Sequence, residues 1–250
     1  MEKFIPRTDL AEEIAENTRK TEEKTFETKE IIIKKREEEK GKYITVYFPF
    51  PFSEKQGEKI EKIICKALFE LLPEGVKNII VAGIGNHSIT ADSIGPASAE
   101  NIIATRGVEG IKRQVSVIRP EVEAKTGIKT AEYIKFIAQK IKPDAVILID
   151  SLASKSLDRL FKTIQITNTG ISPGSGLGQR NERISEQELL IPVISIGVPT
   201  VVDINTLTFE LTGKEIKKEM VVTPTNADYF VYEVSKIIAR GVNLFNFGEL

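Results

Sequence analysis

Residues 81–96 read VAGIGNHSITADSIGP, and this order of residues decides the fold class. An apolar run typical of a buried strand leads into a turn that opens with glycine, and Asp92 follows just ahead of a predicted helix. In open α/β proteins, ligands bind at the carboxyl ends of the strands. The stretch therefore predicts a carboxylate at that edge of a sheet.

A second aspartate repeats this arrangement at the end of residues 145–150, which read AVILID. Two carboxylates on neighbouring strand ends are a candidate acid/base pair, because mutual repulsion keeps a proton on one of them. Aspartate is also a preferred N-cap residue, and helices are predicted to follow both positions, over Ser93–Thr105 and Ser151–Leu160. From the residues alone, Asp92 and Asp150 are either a catalytic pair or two helix caps.

Outside these two segments, predicted helices and strands alternate along the chain. Residues 7–40 are dominated by Glu, Lys, Arg and Thr, and partly solvated helix is expected in the first part of this stretch, before the strand at Ile31–Lys35. Further helices are expected over Gly57–Leu72, Lys129–Lys140, Asp203–Gly213 and Thr225–Arg240, and strands over Ile31–Lys35, Tyr43–Phe48, Asn78–Ile84, Gln114–Ile118, Ala145–Asp150, Thr163–Ile166 and Val193–Val198. This alternation indicates βαβ units, and so an α/β fold with a largely parallel sheet and helices on both faces.

The composition is that of an ordinary globular protein: 250 residues, 41% of them hydrophobic and 28% charged. That length can bury the core of one large α/β domain, so residues 1–250 are expected to form a single domain. A net charge of −1 gives no indication of nucleic acid or an anionic membrane as a partner. Cys65 is the only cysteine, and the N-terminus lacks the apolar core of a secretory signal, so we expect a cytoplasmic protein.

Three further features are candidates for the same site. His87 is the single histidine and lies on the turn before Asp92, so any histidine-based mechanism must use it. Asp203 ends another apolar run and is either a third site carboxylate or a helix N-cap. Residues 169–178, TGISPGSGLG, lack the glycine spacing of a phosphate or dinucleotide loop. They are either a surface turn or a loop whose backbone N–H groups face a substrate carbonyl.

Together these segments resemble the germination protease family, the endopeptidases that degrade small acid-soluble spore proteins in endospore-forming bacteria. The resemblance runs in order over nearly the whole chain, and its two longest blocks are very specific. The matching stretches are Arg7–Ala11, Gly83–Pro96, Asp150–Ser154, Thr163–Gly176, Ile191–Asp203 and Val221–Pro224.

The resemblance implies an atypical aspartic endopeptidase whose catalytic aspartates are Asp92 and Asp150, without metal or cofactor. It implies a three-layer α/β/α sandwich with a mostly parallel or mixed central sheet, similar to that of hydrogenase-maturation endopeptidases. It also implies a homo-oligomer, a tetramer in that family, and an inactive precursor that cleaves itself between Asp9 and Leu10. Residues 1–9 are then a short pro-segment, and the substrate is cut after an acidic and before a bulky apolar residue.

The expected reaction is hydrolysis of a peptide bond by a water held between the two aspartates. The ionised carboxylate takes a proton from the water, while the protonated one supports the carbonyl oxygen. Residues expected to bind the substrate or the oxyanion are Gly174, Ser175, Gly176, Asn86, His87 and Asp203.

Two departures from the family pattern leave alternatives open. Family members commonly carry a tryptophan where this chain has His87, so a metal-dependent peptidase using Asp92, Asp150 and His87 is one alternative. The chain also looks shortened after Thr105 and between Asp203 and Val221, which makes a non-catalytic spore-protein-binding member the other. A nucleotide-binding role ranks behind both.

Overall fold

The computed structural model describes residues 7–15, 23–28, 30–174 and 182–248. Its strands are β1 Glu23–Thr28, β2 Ile31–Glu38, β3 Gly41–Tyr47, β4 Asn78–Gly83, β5 Gln114–Ile118, β6 Ala145–Ser154, β7 Thr163–Thr167, β8 Val193–Asp203 and β9 Val221–Val222. Its helices are α1 Ala11–Ala15, α2 Glu54–Leu71, α3 Ile94–Glu100, α4 Glu123–Thr126, α5 Thr130–Ile141, α6 Glu186–Leu189, α7 Ile204–Thr212 and α8 Ala227–Phe247.

All of these strands belong to one mixed sheet, in the order β1-β2-β3-β7-β8-β6-β4-β5, with β9 beside β8. The half formed by β8, β6, β4 and β5 is parallel. The half from β8 through β7, β3 and β2 to β1 is antiparallel. The predicted α/β class with a mixed sheet is confirmed, and the parallel arrangement applies to only one half of it.

Helices cover both faces of the parallel half, which gives three layers. One apolar cluster joins β4, β6 and β8 to α2, α3 and α8, and a second joins the opposite face of the same strands to α5. Strands covered on both faces read as continuous apolar runs rather than as alternating ones. This explains why Val193–Asp203 is buried along its whole length and why residues 145–150 are buried as well.

The turn from β4 into α3 is the tightest approach in the parallel half. A Cβ on Gly95 would lie less than 3.0 Å from the carbonyl oxygens of Ile84 and Ile149 and from the backbone nitrogen of Ile84. A Cβ on Gly83 would be just as close to the Gly95 carbonyl group. Only glycine allows α3 to rest directly on the ends of β4 and β6. This contact fixes the turn that carries Asp92.

Three local predictions were wrong. The helix expected over Ser151–Leu160 is absent, because β6 continues and pairs with β8 as far as Ser154, leaving only a 3-10 turn at Leu157–Arg159. Within the described part of residues 7–30, only α1 is helical, and Glu23–Thr28 is instead an edge strand. Helix α3 ends at Glu100 instead of Thr105. In each case strand pairing or a tight turn overrode the local pattern.

No helix in the described part of the chain is both long and apolar enough to cross a membrane.

Candidate active site

A cleft of about 910 Å³ lies at the carboxyl ends of the parallel strands, and both candidate aspartates line it. The turn after β4 and the ends of β6 and β8 form one side, and α4 with the start of α5 forms another. Residues that line the cleft include Asp9, Asn86, Asp92, Val122, Lys129, Asp150, Ala153, Gly174, Thr200 and Val221.

Asp92 ends the 3-10 turn Thr90–Asp92, between β4 and α3. Its Oδ2 accepts a hydrogen bond of 2.7 Å from the backbone N–H of Asn86, at the start of the same turn. Gly85 has a φ of 127°, and a Cβ there would collide with the carbonyl oxygen of Asp92. Ser93, not Asp92, occupies the N-cap position of α3. The Asp92 carboxylate therefore binds its own turn and does not cap the helix.

Asp150 lies within β6 and is only 4% exposed. Its Oδ1 accepts a hydrogen bond of 2.8 Å from the N–H of Ser151. No helix follows, so the N-cap interpretation does not apply to Asp150 either. Among the described residues, Asp92 Oδ1 and Asp150 Oδ2 accept no hydrogen bond from the protein, so each aspartate has an oxygen left for a ligand in the cleft.

Both carboxyl groups have raised pKa values, and the charge of Asp92 contributes to that of Asp150. Burial raises the pKa of Asp150 well above its ordinary value, and the charge of Asp92 raises it further, against the opposing hydrogen bond from Ser151. Burial also raises the pKa of Asp92; the Asn86 N–H opposes this rise and the charge of Glu121 adds to it. The pair therefore retains a proton at a pH where ordinary aspartates have lost theirs. One protonated and one ionised carboxyl group in one cleft can act together as acid and base.

Only some of the other predicted site residues line the cleft. Asn86 and Gly174 line the cleft, whereas His87 is exposed on the turn and is not part of the lining. Asp203 is buried as the N-cap of α7, where its Oδ2 accepts hydrogen bonds from the N–H and hydroxyl of Thr206. Ser175 and Gly176 lie outside the described residues.

The acidic residue of the predicted processing bond lines the same cleft as the aspartate pair. Asp9 lines the cleft, and its charge is one of the causes that raise the pKa of Asp150. Leu10 is buried, with an exposed fraction of 1%.

Some lining residues had no signal of their own in the sequence. Thr200, on β8, is fully buried, and its hydroxyl donates a 2.6 Å hydrogen bond to the carbonyl of Ala91, next to Asp92. Residues 122–131 form a wall in which Lys129 is paired with Glu182 at 2.6 Å. Because β5 is parallel to β4, the segment after β5 had to reach the same edge of the sheet, and this was the signal that could have located the wall.

Among the described residues, no three or more His, Cys, Asp or Glu side chains are grouped so that they could bind a metal ion.

The raised pKa of Asp150 predicts a stability that falls as pH rises. Below the ordinary value of 3.8, the carboxyl group is neutral in both the folded and the unfolded chain. Above it, the unfolded chain releases the proton while the folded chain retains it, so folding becomes less favourable until Asp150 ionises in the fold. We expect Asp150→Asn to raise Tm relative to the wild type at pH 8, and the difference to shrink towards pH 4.

Asp144→Asn is the matched control, because its expected effect on stability has the opposite sign from that of Asp150→Asn. Backbone hydrogen bonds from Asn78 and Lys77 lower the pKa of Asp144. Its contribution to stability is therefore present at neutral pH and is lost as the pH falls through its folded pKa. Asp144→Asn should lower Tm at pH 8 and have less effect at acid pH. Thermal unfolding of the three proteins across this range tests both signs, and equal pH profiles for Asp150→Asn and the wild type would contradict the raised pKa.

Comparison with known proteins gives consistent matches. A family profile described as germination protease, Peptidase A25, matches residues 8–212. The chain is 38% identical over 252 residues to the germination protease of Clostridium tetani, an alignment covering 82% of this chain and 78% of the relative. For the germination protease of Bacillus cytotoxicus the identity is 38% over 257 residues, covering 88% of this chain and 70% of the relative.

Among solved structures, one similar chain is a NiFe hydrogenase maturation protease from Thermococcus kodakarensis. The TM-score is 0.45 and the sequence identity 12%, over 72% of this chain and 98% of the other.

Proposed function

The chain belongs to the germination protease family, and from this premise we propose that it is an aspartic-type endopeptidase that hydrolyses small acid-soluble spore proteins during germination. Asp92 and Asp150 are its catalytic residues. The observation that carries the proposal is that these two aspartates line one cleft and that the charge of Asp92 raises the pKa of Asp150. The protein acts in the spore core as a homo-oligomer and needs no cofactor.

The difference in burial between the two aspartates supports an assignment of their acid and base roles. Asp150 is the more deeply buried of the two and its pKa is raised more strongly, so Asp150 holds the proton and Asp92 is ionised. Asp92 takes a proton from a water as the water attacks the scissile carbonyl, and Asp150 donates a hydrogen bond to the carbonyl oxygen. When the tetrahedral intermediate collapses, Asp92 returns the proton to the leaving amine.

The cleft also offers groups for binding the substrate. Gly174, in the turn after β7, has a φ of 74° and lines the same cleft as the aspartate pair. We assign its N–H a supporting role for the oxyanion, together with Asn86. The cleft lining also contains apolar residues, to which we assign the bulky residue that follows the cleavage point: Ile89, Val122, Leu152, Val201 and Val221.

The proposal includes self-cleavage of a precursor between Asp9 and Leu10. Asp9 already lines the same cleft as the aspartate pair, which supports cleavage at this bond. The acidic and apolar residues at this bond match the preference proposed for the substrate.

Incubating the purified full chain with a small acid-soluble spore protein tests the proposal directly. Mass spectrometry should show fragments cut after acidic and before apolar residues, and the same fragments should form in the presence of a strong chelator. Activity that disappears with the chelator and returns with a divalent metal would favour the metal-dependent alternative. Binding of the spore protein over hours without any fragment would favour the non-catalytic one.

Thr200→Val is expected to lower kcat about tenfold and to change KM little. Valine keeps the shape of the side chain but removes the hydrogen bond to the Ala91 carbonyl, so the turn that carries Asp92 loses an anchor worth about 1–1.5 kcal/mol. Thr200→Ser keeps the hydroxyl and should restore most of the rate. If the valine and serine variants lose the same activity, the hydrogen bond has no positioning role. Steady-state kinetics on a peptide substrate measures both constants.

A further inference from the structure

Strand β6 extends beyond its neighbour β4 and leaves an edge open at the cleft. Pairing with β4 ends at Ile149, which accepts a 2.8 Å hydrogen bond from the Ile84 N–H, whereas pairing with β8 continues to Ser154. The backbone N–H and C=O of Ala153 therefore do not meet β4, although they belong to a strand at the centre of the sheet. An edge of this kind can bind an extended peptide through main-chain hydrogen bonds.

The N-terminal segment of this same chain occupies the edge. The N–H of Asp9 donates to the carbonyl of Ala153 at 2.9 Å, and the N–H of Ala153 donates to the Asp9 carboxylate, also at 2.9 Å. The Thr8 hydroxyl is 3.4 Å from the same carbonyl. Asp9 thus binds both backbone groups of Ala153: its N–H binds the carbonyl, and its carboxylate binds the N–H.

A buried carboxylate holds this segment in place. The Glu13 side chain is fully buried, and it accepts hydrogen bonds of 2.8 Å from the Ser154 hydroxyl and from the N–H of Lys155. The Thr8 hydroxyl also donates to Glu13, and the Arg159 guanidinium lies 3.4 Å away. Glu13 therefore ties the segment to the end of β6, directly beyond Ala153, and so positions Asp9.

We propose that the edge of β6 at Ala153 is a substrate subsite for an acidic residue in an extended peptide, and that Asp9 is its built-in occupant. The inference rests on the proposed function and adds to it the groups that recognise the acidic side chain. The N–H of Ala153 binds the carboxylate, and the carbonyl of Ala153 binds the N–H of the same substrate residue.

The chemistry of the edge supports a carboxylate rather than a neutral side chain. A hydrogen bond from an N–H to an ionised oxygen is roughly twice as strong as one to a neutral acceptor. The two bonds also select an acidic residue whose backbone is extended, because the side chain and the N–H of one residue must reach the same alanine. The charge of Asp9 raises the pKa of Asp150, which is consistent with a subsite close to the catalytic pair.

Because Asp9 occupies the subsite, the protein binds a substrate added in solution with lower affinity. A peptide can bind only in the fraction of molecules in which Asp9 has left Ala153, so its apparent Kd is divided by that fraction. Replacing Asp9 by Ala removes the carboxylate that competes for the Ala153 N–H. We expect such a variant to bind an acidic peptide at least about tenfold more tightly.

The test measures binding in full-length protein that carries Asp150→Asn, so that no peptide is cut. Two fluorescein-labelled 12-residue peptides are compared by anisotropy, one with a central Asp-Leu and the other with a central Asn-Leu. Adding Asp9→Ala should tighten binding of the Asp-Leu peptide at least about tenfold and leave the Asn-Leu peptide clearly weaker. Asp228→Ala, at an exposed aspartate outside the cleft lining, should leave both Kd values unchanged.

Hydrogen exchange at the Ala153 amide provides a second readout. Exchange should be faster with Asp9→Ala, and the Asp-Leu peptide should slow it again while the Asn-Leu peptide does not. Circular dichroism verifies the fold, and Asp9→Asn, which keeps the shape of the side chain, replaces Asp9→Ala if the latter unfolds. The proposed subsite would be overturned if the two peptides bound with equal affinity. It would also be overturned if Asp9→Ala bound the Asp-Leu peptide no more tightly than Asp228→Ala does. Cleavage by the chain with Asp150 intact is measured separately, so a failed subsite and a failed proposed function give different results.

Discussion

Asp150→Asn is expected to lower the rate of peptide cleavage by at least about a thousandfold while the chain stays folded. General acid–base catalysis contributes about 10²–10⁴-fold to a rate, and asparagine, although its amide NH2 group can still donate a hydrogen bond, cannot transfer a proton as the protonated Asp150 carboxyl group can. The amide oxygen of asparagine can still accept the hydrogen bond from Ser151. The loss should therefore appear in kcat, because the variant keeps the shape of the cleft.

Two other aspartate variants show whether the loss is specific. Asp92→Asn should cause a loss of similar size, and the double variant should be little worse than either single one, because the two carboxylates act as one unit. Asp144→Asn alters a carboxylate that accepts hydrogen bonds from Lys77 and Asn78 and is not part of the cleft lining, and it should retain near-normal kcat. If Asp150→Asn cleaves at the wild-type rate, Asp150 has no part in the mechanism.

The sequence predicted much of the parallel half of the fold because β4 and β6 contain continuous apolar runs, at residues 79–82 and 145–149. The prediction for β5 matched at both ends and that for β4 ran one residue too far, to Ile84, whereas the strand predicted over Ala145–Asp150 continues to Ser154. Because ligands bind at the carboxyl ends of parallel strands, that edge of the sheet was a predictable place for the site. The resemblance to the germination protease family is confirmed by the profile that matches residues 8–212. The roles of Asp92 and Asp150 stay predictions.

What the sequence could not predict depends on contacts between distant segments. Ser151–Leu160 looked like a helix after an N-cap, and only the pairing of β6 with β8 shows that the strand continues. Asp9 was recognised only as a processing site, since nothing local indicates that its carboxylate meets the Ala153 N–H. Asp203 was placed among the site candidates because it ends an apolar run, and the structure makes it the N-cap of α7.

Gly95→Ala is the substitution expected to have the largest effect on stability. The added methyl group would lie less than 3.0 Å from three backbone atoms, of Ile84 and Ile149, and backbone at the ends of two central strands cannot move aside as a flexible side chain can. Overpacking a core costs about 1–3 kcal/mol when side chains can adjust, so we expect a loss of at least about 3 kcal/mol here. For a chain of this size, that corresponds to a fall in Tm of roughly 6–12 °C or more.

Gly57→Ala is the matched control, because Gly57 is also a buried glycine in a helix. The nearest neighbours of a Cβ at Gly57 would be the side chains of Ile237 and Phe52, at 3.7 Å, which is ordinary van der Waals contact. Alanine is favoured over glycine within a helix by about 1 kcal/mol, so this variant should be as stable as the wild type or more stable. Gly95→Ala should also lose more activity than its folded fraction explains, because α3 and the Asp92 turn must move away from β6. If Gly95→Ala unfolds at the wild-type Tm, the close contact between α3 and the ends of β4 and β6 does not exist, and the placement of Asp92 beside Asp150 loses its structural basis.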